Sequence, residues 1–110
     1  METPDAVTAL AALAQVSRLA LYRLLVQAGP EGVSPGAISE RLDIPAPTLS
    51  FHLKALSHAG LIDHRRDGRN IYYTANYAHM NALVDFLTDN CCGGRGCKPL
   101  AAPARRRKAS

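Results

Sequence analysis

The stretch from Val33 to Ala75 constrains this chain more than any other. It reads "VSPGAISERLDIPAPTLSFHLKALSHAGLIDHRRDGRNIYYTA". Ser34 is a good helix N-cap, and Pro35 stands at the first helical position, where its missing N–H costs nothing. Val33 and Ile38 occupy the two positions of a hydrophobic staple. A short helix over about residues 34–42 is therefore expected, and Pro45 ends it because the residue before a proline avoids helical geometry. A second helix follows over about 46–59, with Leu49, Leu53 and Leu56 as one buried stripe and Gly60 placed to close it. Two short helices joined by a tight turn make a helix-turn-helix. The period then changes: "LIDHRR" and "NIYYTA" flank Asp67-Gly68, with Arg69 next, which predicts a two-stranded hairpin with a basic tip.

The flanks add helices. Residues 5–28 read as two, broken near Gln15 to Ser17, with Ser17 as the second N-cap and Gly29-Pro30 as the stop. Val7, Leu10, Leu13 and Val16 recur along the first, and Leu19, Tyr22, Leu25 and Val26 share a face of the second. After the hairpin, Asn76 caps a last helix that ends near Asn90 and carries Met80, Leu83, Val84 and Leu87 on one face. The expected architecture is mainly α with a small β-hairpin, a winged helix-turn-helix. Residues 1–92 form the winged helix-turn-helix domain, and residues 93–110 a cysteine-bearing loop and a basic tail with no periodic core signal, disordered over 99–110.

Charge and composition narrow the partners. The 110-residue chain has a net charge of +4 and a pI near 9.3, which favours an acidic partner such as nucleic acid. Aromatic residues are only 5% of the chain and tryptophan is absent, so the core must be aliphatic. The N-terminus has no secretory pattern and no apolar run can span a bilayer, so a cytoplasmic protein with reduced thiols is expected. An enzyme is not: adjacent Cys91-Cys92 is not the Cys-x-x-Cys redox spacing, and no phosphate-binding loop leads into a helix.

The second helix of a helix-turn-helix enters the major groove of DNA. With Leu49, Leu53 and Leu56 inward, the opposite face carries Pro47, Phe51 and Lys54, flanked by Thr48 and Ser50. Small hydroxyls near the helix start can reach base edges or phosphates, Phe51 can touch a thymine methyl, and Lys54 suits a phosphate. His52 lies at the edge of the buried stripe, where packing is the simpler role. Arg65, Arg66 and Arg69 surround the hairpin tip, as suits a minor groove or its phosphates.

These residues resemble those of the ArsR/SmtB family of bacterial metal-sensing repressors. The resemblance is carried by Pro47, Thr48, Ser50, His52, Leu53, Ala59, Gly60, Leu61, Gly68, Arg69 and Tyr73, and by "SRLALYRLLVQAG". It covers about residues 5–90. It implies a homodimer on a palindromic double-stranded operator that is released when an inducer binds. It also implies that the first and last helices form the dimer interface, here with Val7, Leu10, Leu13, Met80, Leu83, Val84 and Leu87. One departure is plain. Well-known members carry a cysteine pair in the helix before the recognition helix, and "SPGAISERLDI" has none. Nor do His79, Asp85 and Asp89 repeat the ligand spacing of the zinc-sensing branch.

All three cysteines instead lie in "DNCCGGRGCKPL", as Cys91, Cys92 and Cys97. Soft thiolates select soft ions, and three of them with no nearby histidine fit trivalent arsenic or antimony, whereas zinc wants a fourth ligand. The glycines let the loop return Cys97 to the pair, with Arg95 and Lys98 beside it. The expected function is an arsenite- or antimonite-responsive repressor that needs no catalytic cofactor. Another soft metal, a methylated trivalent arsenical bound by two thiols, or an oxidant remains open as the inducer.

Overall fold

A computed structural model describes residues 1–94. Its elements are α1 (Thr3–Leu13), α2 (Val16–Ala28), α3 (Pro35–Leu42), α4 (Ala46–His58), β1 (Ile62–Asp67), β2 (Asn70–Ala75) and α5 (Tyr77–Thr88), followed by a 3-10 turn over Cys91–Gly94. This is a winged helix-turn-helix, with α3 and α4 as the motif and the hairpin as the wing. Among the described residues no single helix is long and apolar enough to cross a membrane. Residues 95–110, with Cys97 and the expected basic tail, lie outside the described residues.

The central motif forms for the reasons its sequence suggests. The Ser34 side chain accepts from the Ala37 N–H at the start of α3, and Val33 and Ile38 are both buried. Asp43, in left-handed geometry (φ 55), ends that helix. Pro45 then serves as the N-cap of α4. The far end of α4 closes in a Schellman motif: the Leu61 N–H donates to the Leu56 carbonyl and the Gly60 N–H to that of Ser57, both at 3.0 Å. Gly60 sits at φ +79, which favours glycine, and a Cβ there would crowd the His79 ring at 3.1 Å.

β1 and β2 pair antiparallel from Ile62↔Ala75 to Asp67↔Asn70. The loop is therefore Gly68-Arg69, not Asp67-Gly68, because the ladder continues one residue further than expected. Gly68, at φ +65, takes the first loop position, as a type II′ turn demands. Val33 bridges to Tyr73 through two backbone hydrogen bonds of 2.9 and 3.0 Å, which ties the wing to the segment entering α3.

The core is aliphatic. Leu21, Leu25, Ile38, Leu49, Leu56 and Leu61 are fully buried, each worth about 1.5–3 kcal/mol relative to exposure. Several flanking expectations need correction. Gln15, not Ser17, caps α2: its side chain reaches the Arg18 N–H at 2.8 Å, so the helix starts earlier and Ser17 falls in its first turn. On α1 the inward stripe is Ala6, Ala9 and Ala12, and on α2 it is Leu21, Tyr22 and Leu25, with Leu19 and Val26 exposed. Alanines let α1 approach its own body closely, which leaves Val7 and Leu10 outward. α5 turns Leu83 fully inward, with Met80 and Phe86 packed at the core edge. Leu83 is thus buried by its own chain and is not a surface that a partner could cover, whereas Val84 and Leu87 are.

Candidate nucleic-acid interface

The outer face of α4 is a continuous exposed surface. Pro47, Thr48, Ser50, Phe51 and Lys54 are all solvent-accessible, and Phe51 is 66% exposed. The inner face explains why they point outward: Leu49, His52, Leu53 and Leu56 form the buried stripe. At 100° per residue, Pro47, Phe51, Lys54 and His58 lie along the line opposite that stripe. His58 and Ser57, both exposed, were not singled out from sequence. Their only signal there is this helical phase.

His52 packs, as its place in the sequence suggests. It is 6% exposed, and its Nδ1 lies 3.4 Å from the Arg18 guanidinium. Burial first, and the Arg18 charge second, push its pKa below the ordinary histidine range. A neutral ring can present a bare Nδ1 to a cation. Arg18 also donates from Nε to the Ala12 carbonyl at 2.6 Å, so one guanidinium joins the end of α1, the start of α2 and the recognition helix. The Phe51 ring stands edge-on to His52, with centroids 5.9 Å apart.

The wing divides the three arginines. Side chains alternate along a strand, so Arg66 shares a face with Ile62 and His64, and Arg65 takes the other. Arg65 donates to the Glu31 carbonyl at 2.6 Å and lies 4.7 Å above the Tyr72 ring. It ties the middle of the wing to the loop before α3. Arg66 and Arg69 are exposed and make no side-chain hydrogen bond among the described residues. Between wing and helix lies a cleft of about 370 Å³, lined by Pro35, Ser50, Leu53, Lys54, Ser57, His64 and Tyr73. His64 was also missed from sequence, since its role depends on which face of β1 meets α4. The surface offers hydroxyls, one lysine, one aromatic ring and two unengaged guanidiniums. Such a surface suits a polyanion with a readable groove.

The expected inducer and dimer residues are placed as follows. Cys91 and Cys92 follow α5 directly, with Sγ atoms 3.8 Å apart. Cys92 has a left-handed backbone (φ 57), as does Asn90 (φ 56). Cys97 lies outside the described residues, and among those described no three metal-ligating side chains converge. His79 packs on Gly60 and lines a pocket with Asp5 and His58, apart from Asp85 and Asp89. Val7, Leu10, Val84 and Leu87 are exposed, while Leu13 and Met80 are half-buried.

Known proteins with this plan regulate transcription. A family model described as a helix-turn-helix domain matches residues 13–65. The transcriptional activator HlyU of Vibrio cholerae is 30% identical over 82 residues, covering 74% of this chain and 73% of its own. An ArsR-like transcriptional regulator from Rhodococcus sp. RHA1 superposes with a TM-score of 0.67 at 26% identity, covering 76% of each chain. The homodimeric winged helix-turn-helix DNA-binding domain of Mb0332 from Mycobacterium bovis superposes with a TM-score of 0.64 at 30% identity, over 80% of this chain and 82% of that one.

Proposed function

Because this chain belongs to the ArsR family of winged helix-turn-helix transcriptional regulators, we propose that it is a repressor. It binds a palindromic operator as a homodimer and leaves the DNA when trivalent arsenic or antimony is taken up by Cys91, Cys92 and Cys97. The observation that carries the DNA reading is the exposed face of α4 beside a wing whose Arg66 and Arg69 are unengaged. A helix of this kind fits the major groove, and the arginines meet the adjacent backbone or minor groove.

Repression is the simpler sign. A protein that occupies a promoter blocks it with no further contact, whereas activation needs a second surface for the transcription machinery. Exposed Val7 and Leu10 on α1, with Val84 and Leu87 on α5, supply an apolar surface that a second copy can cover. The homodimeric relative from Mycobacterium bovis supports that assembly. Two copies present two recognition helices, which a palindrome mirrors.

The inducer reading is supported by the two thiols beyond α5. The two sulfurs, 3.8 Å apart, are close enough to bind one soft ion together. Capture of an ion also stiffens the end of a helix that carries dimer-face residues, so it can turn one winged domain against its twin. The same sulfur pair favours a second reading, in which a methylated trivalent arsenical takes two thiols and Cys97 is dispensable. Another soft metal or an oxidant acting on the same cysteines belongs to this second reading.

The test is fluorescence anisotropy on duplex DNA from the protein's own promoter, under reducing conditions. Arsenite and antimonite are titrated against wild type and against single Cys91→Ser, Cys92→Ser and Cys97→Ser variants. Release that fails in all three variants supports a three-thiolate switch. Release that survives only in Cys97→Ser supports the two-thiol reading. Wild-type protein that stays on the DNA rejects arsenic and antimony as inducers. A promoter reporter that falls in activity when the gene is deleted rejects repression in favour of activation.

A further inference from the structure

The chemistry of the α4 outer face says which kind of base that helix reads. The helix runs Ala46–His58 as "APTLSFHLKALSH". It contains no arginine, asparagine or glutamine, and no carboxylate. Guanine is read best by the arginine fork, adenine by the paired donor and acceptor of asparagine or glutamine, and cytosine by a carboxylate. None of these is present, and Lys54, which can also reach a guanine edge, brings a point charge without the fork. What stands at the middle of the exposed face is a phenyl ring.

Phe51 is 66% exposed, although burying such a side chain is favourable. Its ring stands edge-on to that of His52, which is itself buried and lies against Arg18. Pro47 lies one turn before it on the same line, and Lys54 follows, while Thr48 and Ser50 flank it with hydroxyls that bond to any base edge or phosphate. The one apolar feature that a base pair displays in the major groove is the thymine C5-methyl. We infer that Phe51 is the main specificity-determining residue of the recognition helix, that it covers a thymine methyl in each half-site, and that the operator is chosen more by methyl contacts than by bidentate hydrogen bonds. This rests on the proposal that α4 enters the major groove.

The experiment removes the methyl without disturbing base pairing. Full-length protein first selects duplexes from a randomised pool. Each thymine of the selected half-site is then replaced by deoxyuridine, and affinity is measured for wild type, Phe51→Ala and Phe51→Leu. At the thymine beneath Phe51, removing the methyl weakens wild-type binding about fourfold in one half-site and about fifteenfold when both are changed. Phe51→Ala binds the thymine operator more weakly and no longer distinguishes thymine from uracil there. Phe51→Leu, still apolar, keeps part of the discrimination. An operator without thymine in its half-sites overturns the inference, and so does uracil sensitivity that is the same in Phe51→Ala. Both outcomes leave DNA binding itself intact. A pool in which no sequence is enriched overturns the DNA-reading proposal and this inference with it.

Discussion

Single side chains in this protein are sorted by which way their helix faces, and that sorting decides what each can do. His52 and Phe51 are neighbours in sequence with opposite fates, one 6% and the other 66% exposed. The buried His52 is held neutral by its surroundings and by Arg18, and its pKa lies below the ordinary value. The sign follows from proton counting. As pH falls through about 6.5, the unfolded chain gains a proton that the folded chain refuses, so stability drops until the folded pKa is reached. Above that range the effect is absent. Thermal melts of wild type and His52→Gln should therefore keep a constant difference in Tm at neutral pH and above. The difference should shift against wild type on acidification, and a constant difference throughout would show that His52 does not titrate as described. His52 was readable as a packing residue because it borders the leucine stripe. Its partner was not, because Arg18 lies in another helix and only the tertiary fold brings the two together.

Elements differ in how far local pattern determined them. Ser34, Pro35, Asn76 and Gly60 act through hydrogen bonds or backbone angles within a few residues, so their helices were legible. The core face of α5 was not. On α1, alanines line the core and Val7 and Leu10 point outward, as the expected dimer face requires. On α5, Leu83 and Leu87 look equivalent as periodic leucines, but one is 2% and the other 56% exposed. Leu83→Ala should cost about 2–5 kcal/mol in chemical unfolding. Leu87→Ala should leave the fold's intrinsic stability nearly unchanged and weaken self-association, as sedimentation would show. The wing makes a similar contrast. Arg69→Ala should weaken DNA binding and lower the magnitude of the salt slope by about 0.9 for each phosphate that the arginine neutralises. Arg65→Ala should instead loosen the middle of the hairpin, read as faster amide exchange at Tyr72 and Tyr73, since its guanidinium binds the Glu31 carbonyl.

At the scale of the molecule, three surfaces combine: a reading face on α4, an apolar face on α1 and α5, and a thiol pair just beyond α5. The fold was legible because its motif, wing and caps are local. The proposed assembly comes only from family resemblance, since nothing in one chain's periodicity says what covers an exposed leucine. Leu10→Glu combined with Leu87→Glu should give a folded monomer by light scattering, with DNA affinity greatly reduced. A dimer that persists would move the interface elsewhere. The most direct test of the central claim is linkage between the thiols and the operator. Arsenite is titrated calorimetrically into reduced protein, free and bound to operator. If thiol occupation drives release, operator weakens arsenite binding by the same factor by which arsenite weakens operator binding, and a hundredfold effect corresponds to about 2.7 kcal/mol in each direction. Arsenite affinity that is unchanged by operator would contradict the account.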